Sequence, residues 1–227
     1  MKLKGLLFVY CNVRYVLRLA HRERPVAAVM YAFREMFNLF CSLLAAKIVG
    51  WPYSNLGAGS KILGTKAIAV SGYASIKRNA WIEAVYSYFD QSFTPSIKIG
   101  QNFFASDRLH ISCINRIEIG DDCLFGSGIY ISDHNHGSYK GTEQSSPLEP
   151  PIRRKLVSYG PVIIGRNVWL GDNVVIVGAV TIGNGAVIGA NCVVTQDVPE
   201  HVMVAGSPMR CIKKFNEANG RWEKIER

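Results

Sequence analysis

The chain has 227 residues, 48% apolar and 19% charged, which excludes global disorder and favours one domain with an appendage. Its formal net charge is +9, but residues 1–50 carry eight Lys/Arg against two Asp/Glu, so most of the excess sits at one end. That asymmetry argues against a nucleic-acid surface spread over the main body. Gly5–Val13 is apolar but short, is followed by Arg14 and Arg18, and has no small-residue cleavage site, so it does not read as a signal peptide. Val26–Gly50 is longer but is broken by Arg34, Glu35 and Lys47, short of the roughly 20 unbroken apolar residues a membrane span needs. The pattern predicts two helices, roughly 5–20 and 25–48, the second opened by Pro25. Two uses fit them: a cap packed on the main body or in an oligomer contact, and an interfacial hairpin drawn to anionic lipid. The expected location is cytoplasmic, with peripheral contact at the inner face of the cytoplasmic membrane in the second case. Six cysteines with no C-x-x-C pair read as reduced thiols in a core.

From about residue 62 the sequence becomes periodic. Val70, Ile76 and Ile82 open a six-residue step, and Ile99, Ala105, Ile111 and Ile117 repeat it. The step slips by two, resumes at Ile119, Phe125 and Ile131, and is cleanest at Ile164, Leu170, Ile176, Ile182, Ile188 and Val194. Four positions after each of these last comes Val168, Val174, Val180, Ala186, Cys192 and Val198, usually with Asn, Asp or Gly just before. Six is no helix period. It suits a short strand with alternating sides and then a tight corner, where Asn and Gly tolerate a left-handed backbone. An ordinary sandwich would not hold this step over six consecutive units. Interruptions fall at about 84–97 and 135–161. The expected division is 1–51 helical, 52–200 repeat domain with an excursion at 135–161, and 201–227 a tail ending in a short helix.

On these repeats, and on the segments N167-V-W-L-G-D172 and V204-A-G-S-P-M-R-C-I-K-K214, the chain resembles the hexapeptide-repeat acyltransferases over about residues 62–214. Within them it is most similar to sugar and polysaccharide O-acetyltransferases of the galactoside, maltose and O-antigen kinds. The resemblance implies a mainly β fold, a left-handed parallel β-helix, and a homotrimer with sites between subunits. It also implies acetyl-CoA as co-substrate and a sugar or polysaccharide-precursor acceptor. His134, in I131-S-D-H-N-H-G137, matches the family's catalytic histidine, and imidazole suits proton abstraction near neutral pH. Asp133 could orient it and His136 is the neighbouring alternative. By the same resemblance, the donor site is expected at Trp169, Gly171, Asp172, Gly189, Ala190, Thr195, Gln196, Arg210 and Lys213. The two glycines and Ala190 would admit the pantetheine arm, and the two basic residues would meet phosphates. Gln196 departs from the family's usual lysine. Trp169 serves equally as a trimer contact. The acceptor is expected at Ser106, Asp107, Asn135 and His136, with Ser106 where the family has asparagine. Trp81, Tyr86, Tyr88 and Phe89 form either a sugar platform or the core of their own hairpin. The 135–161 loop, with Arg153, Arg154 and Lys155, is expected to overhang a neighbouring site. No metal is expected: His110, His134 and His136 lack the spacing of the carbonic anhydrases that share this helix. The rival readings are N-acylation of an amino sugar or xenobiotic, and a non-catalytic scaffold tethered by the N-terminal helices.

Overall fold

The computed structural model describes residues 25–51 and 54–225; the helix expected at 5–20 and Cys11 lie outside them. The described chain winds as a parallel β-helix with three flat faces, visited in turn. The first face stacks Asn55–Leu56, Ala74–Ile76, Phe103–Ala105, Leu124–Phe125, Trp169–Leu170, Val187–Ile188 and Val202–Ala205. The second stacks Lys61–Leu63, Trp81–Ala84, His110–Cys113, Tyr130–Ser132, Val175–Val177 and Val193–Val194. The third stacks Ile68–Val70, Ser96–Ile99, Arg116–Ile119, Val162–Ile164 and Val180–Ile182.

The six-residue step is the inward set of these strands. Ile164, Leu170, Ile176, Ile182, Ile188 and Val194 all lie in the core and fall on the third, first and second faces in rotation. Val168, Val174, Ala186, Cys192 and Val198 are buried beside them at the corners of the triangle, and Val180 is buried at the start of a third-face strand. The slip of two has a simple cause: Arg116–Ile119 is one strand long enough to turn both Ile117 and Ile119 inward. Corner residues Asn79, Asn102, Asp122, Asn167, Asn173 and Asn191 adopt φ of 54–58°, the left-handed backbone such a turn requires. A second device fixes the corners. Asp107 Oδ1 accepts from the Arg78 amide, Asp121 from Gln101, Asp172 from Ser127, Asn184 from Arg166 and Asp197 from Thr181, each bond tying one coil to the one before. Inside, Phe103 and Phe125 meet edge to face at 4.9 Å. Burial of each such ring contributes roughly 1.5–3 kcal/mol.

Two excursions leave the coil. The first is an antiparallel hairpin, Ser87–Tyr88 with Gln91–Ser92. The second leaves at Asn135–His136 and returns at Leu156–Val157, which pair antiparallel at its base. The helix Pro25–Ile48 rests on the first coil by its C-terminal end: Ala46 is buried, and Ser42 hydrogen-bonds Asn55. Its opposite face, including Val26, Met30, Phe33, Phe37, Phe40 and Leu44, is exposed. No helix among the described residues is long and apolar enough to cross a membrane.

The tail corrects one expectation. It is strand, not helix: Arg210–Asn216 turns back antiparallel on Val202–Ala205, and Arg221–Lys224 pairs beyond it. The open edge of the first face supplies ladder partners that a helix would leave unused, and Asn216–Gly220 closes the turn. The cysteines also divide. Cys113, Cys123 and Cys192 lie in the core as expected, but Cys41 and Cys211 are exposed, on the helix and the tail.

Candidate active site

His134 stands where the second face ends and the long excursion begins. Its side chain is 9% exposed and that of Asp133 is fully buried. Asp133 Oδ1 lies 2.9 Å from His134 Nδ1. A carboxylate only accepts, so Nδ1 carries the proton and Nε2 holds the lone pair. The same carboxylate caps the neighbouring coil's turn: Oδ1 accepts from the Ile114 amide (3.0 Å), Oδ2 from those of Asn115 (2.8 Å) and Arg116 (2.9 Å) and from the Cys113 thiol (3.3 Å). Burial alone would raise the Asp133 pKa; the His134 bond and the backbone amides outweigh it and hold it below the usual carboxylate value. Ser132 Oγ closes the arrangement, donating to the His134 carbonyl at 2.9 Å and lying 3.3 Å from Nδ1. Burial, and then the Asp133 charge, push the Cys113 thiol far up, which makes it a poor nucleophile.

His136 is exposed and meets Tyr88 of the short hairpin, hydroxyl to Nδ1 at 3.4 Å. Asn135 pairs with Val157 across the base of the excursion. Gln91 clamps hairpin to excursion, its amide donating to the Leu156 carbonyl (3.1 Å) and accepting from the Leu156 amide (2.7 Å). The Arg154 guanidinium binds the Glu149 carbonyl and Tyr139 hydroxyl, so it braces the loop. Trp81 does not join Tyr88 and Phe89. It lies between the Lys61 ammonium and the parallel ring of His110, 4.6 Å away, which itself meets Tyr130. No group of three or more His, Cys, Asp or Glu among the described residues is arranged to hold a metal.

Most of the residues expected at the donor, all but Thr195 and Gln196, fall on another side of the prism. On the outside of the first face, Trp169 is opposite Val187, then Met203, then Lys213, then Lys224. Directly paired residues share a face, so these form one row, apolar at one end and cationic at the other. Four strand spacings separate its ends, roughly 19 Å. Arg210, Lys213 and Lys224 line a groove of about 1050 Å³ with Gly206, Ser207 and Pro208. Lys224 had no signal in the sequence; only the tail's hairpin brings it there. Asp172 and Ala190 are exposed at the corner after this face. Asp172 and Asp107 spend an oxygen on corner bonds, and Asp107 also pairs with Arg78 at 3.0 Å. Burial would raise the Asp107 pKa, but the Arg78 bonds and charge lower it. Gly171 and Gly189 have a structural reason to be glycine: a Cβ on Gly171 would sit 2.6 Å from the Ala190 nitrogen, and one on Gly189 would sit 3.0 Å from the Ala205 Cβ. Thr195 and Gln196 are exposed at His134's corner, two strands further along. Ser106 is half-buried beside Asp107, at the end of a first-face strand.

A family model described as bacterial transferase hexapeptide (six repeats) matches residues 161–196. The solved structure of a galactoside acetyltransferase in complex with coenzyme A is 32% identical, superposing on 70% of this chain and 72% of its own with a TM-score of 0.52. The chain belongs to the hexapeptide-repeat transferase family. Its coil is the left-handed β-helix of that family. Among hexapeptide-repeat relatives, WbbJ of Escherichia coli K12, whose name assigns it provisionally to O-acetyl transfer in lipopolysaccharide biosynthesis, is 45% identical over 129 residues, 56% of this chain and 65% of its own. The galactoside O-acetyltransferase of the same strain is 37% identical over 146 residues, 64% of this chain and 66% of its own. The chain thus spans just under two thirds of the length of these two relatives.

Proposed function

We propose that this protein transfers an acetyl group from acetyl-CoA to a sugar hydroxyl of a surface-polysaccharide precursor. The observation that carries the reading is the buried Asp133 carboxylate on His134 Nδ1, which leaves the Nε2 lone pair to act as a base. The acceptor O–H proton passes to Nε2 while its oxygen forms a bond to the acetyl carbonyl carbon. The carbon–sulfur bond breaks, and the thiolate leaves with the proton from His134. No covalent enzyme intermediate is needed, consistent with the thiol that touches Asp133, Cys113, being buried and turned onto its carboxylate. The apolar-to-cationic row from Trp169 to Lys224 suits a thioester arm that ends in phosphates, with Arg210 beside it. Asn135, His136 and Ser106 are the acceptor contacts.

The row lies on the first face, whereas His134 stands at the opposite corner, between the second and third faces. One copy cannot close both sets on one ligand. We therefore read the working unit as a homotrimer, with each site built from the His134 corner of one copy and the row of the next. The galactoside acetyltransferase bound to coenzyme A and the name of WbbJ support the donor and the acceptor class respectively. We also assign the exposed apolar face of Pro25–Ile48, preceded by six Lys/Arg in residues 1–24, to the surface of an anionic membrane that would carry the acceptor. Flotation with anionic liposomes tests this: recovery independent of Phe33→Ser and Phe37→Ser would refute it.

Thiol release from acetyl-CoA tests the main reading, with sugars, nucleotide sugars and polysaccharide precursor as acceptors. His134→Ala is expected to lower turnover by about 10²–10⁴-fold. No turnover together with no coenzyme A binding at millimolar concentration would favour the scaffold.

A further inference from the structure

The short hairpin beside the site carries a residue that its own fold does not explain. Phe89 turns the hairpin with φ 49°, in the left-handed region where Gly or Asn is favoured, and its ring is 71% exposed. A bulky side chain in that backbone is strained, and a large apolar ring in water is unfavourable; both costs fall on one position. The hairpin is also held in place. Gln91 binds both backbone groups of Leu156, and the Tyr88 hydroxyl donates to the Ile152 carbonyl. The Tyr88 ring meets Phe89 edge-on at 4.9 Å and His136 edge-on at 5.3 Å. His136 is two residues from His134. The exposed Phe89 ring, backed by the half-buried Tyr88, is thus fixed beside His136, on an element inserted within one coil between the second-face strand Trp81–Ala84 and the third-face strand Ser96–Ile99, both of which stack on the next coil without it.

We propose that Phe89, buttressed by Tyr88, is a carbohydrate subsite that takes the sugar next to the one acetylated. The acceptor is then an oligosaccharide or glycan repeat and not a free monosaccharide. An aromatic ring offers a flat apolar surface to the C–H face of a pyranose, and the exposed His136 supplies a polar edge. This rests on the acetyl-transfer reading above and specifies its acceptor.

The test compares glucose, galactose and N-acetylglucosamine with the matching gluco-, galacto- and chito-tetrasaccharides, using wild type and Phe89→Asn. Asparagine tolerates the left-handed turn, so the substitution removes the ring without straining the hairpin. The wild type is expected to prefer a tetrasaccharide over its monosaccharide in kcat/KM. Phe89→Asn is expected to shrink that ratio by about 10-fold, and Phe89→Tyr to restore it. A wild type without length preference, or a ratio unmoved in Phe89→Asn, overturns the subsite while acetyl transfer stands. A changed native mass in Phe89→Asn also overturns it, because the ring would then serve contact between copies. No thiol release with any of these carbohydrates overturns the subsite, and if coenzyme A binding at millimolar concentration is absent too, the acetyl-transfer reading falls with it.

Discussion

Replacing Asp133 with asparagine separates its two tasks, capping the 114–116 turn and setting the His134 tautomer. The amide nitrogen must replace one carboxylate oxygen. In the place of Oδ2 it confronts the amides of Asn115 and Arg116, at 2.8 and 2.9 Å in the wild type. Two part-buried N–H groups then face a donor, at up to about 1–3 kcal/mol each. In the place of Oδ1 it confronts Ile114 and His134 Nδ1, and the imidazole can answer by moving its proton to Nε2. Only one N–H is stranded, so this orientation wins at a loss of about 1–3 kcal/mol. The surviving protein has no lone pair on Nε2. We expect a folded enzyme slower by about 10²–10⁴-fold, with little change in KM for acetyl-CoA. Urea denaturation and thiol release measure the two effects separately. The pH dependence has a definite sign. The folded Asp133 pKa is lowered, so its stabilisation is complete above the ordinary value of about 3.9 and is lost as pH falls toward the folded one. The stability gap between wild type and Asp133→Asn should be flat above about pH 5 and close in acid. Turnover within about threefold of wild type would refute the tautomer argument.

Gly171→Ala should lower stability by about 1–3 kcal/mol in urea, because its Cβ would meet backbone at Ala190, 2.6 Å away, that cannot yield. Arg210→Ala with Lys213→Ala should raise KM for acetyl-CoA by about 10-fold or more, an effect that shrinks as salt rises, with little change in kcat. Mixed oligomers refolded from equal parts His134→Ala and the Arg210/Lys213 double variant should recover about a quarter of wild-type activity at low acetyl-CoA, since one site in four joins two intact halves. No gain over the separate variants would refute sites shared between copies.

The coil was legible because its inward positions must be aliphatic at fixed spacing, and the left-handed corners select Asn and Gly. His134 was legible by resemblance and by residue type. The rest was hidden for physical reasons. Asp133's partners are backbone amides 17–19 residues away, which no residue type marks. Asp107 and Asp172 are expected near the ligands by resemblance, and the sequence does not show that each spends an oxygen on a neighbouring coil. Gly171 reads as room for a ligand, yet the next coil already occupies that room. The Lys213–Lys224 pairing needs an antiparallel hairpin, and the lysines of the tail gave no period from which to read one.

The outer faces carry an asymmetry that the inner core does not require. The third face is polar outside, with Lys98 and Glu118 paired at 3.0 Å. The first exposes Phe104, Leu124 and Trp169 in a row, and the second presents Trp81 stacked on His110, with Tyr130 edge-on to the His110 ring. The core is already filled by the inward residues, so these outer rows contribute only cross-strand contacts within one chain and leave large apolar surface in water. Two unlike apolar faces on one prism suit a head-to-tail contact, in which the first face of one copy meets the second of the next and the ring closes. Such a contact brings the row that ends at Lys224 toward the neighbour's His134 corner. The same two faces would then build the interface and complete the site, leaving the polar third face to water.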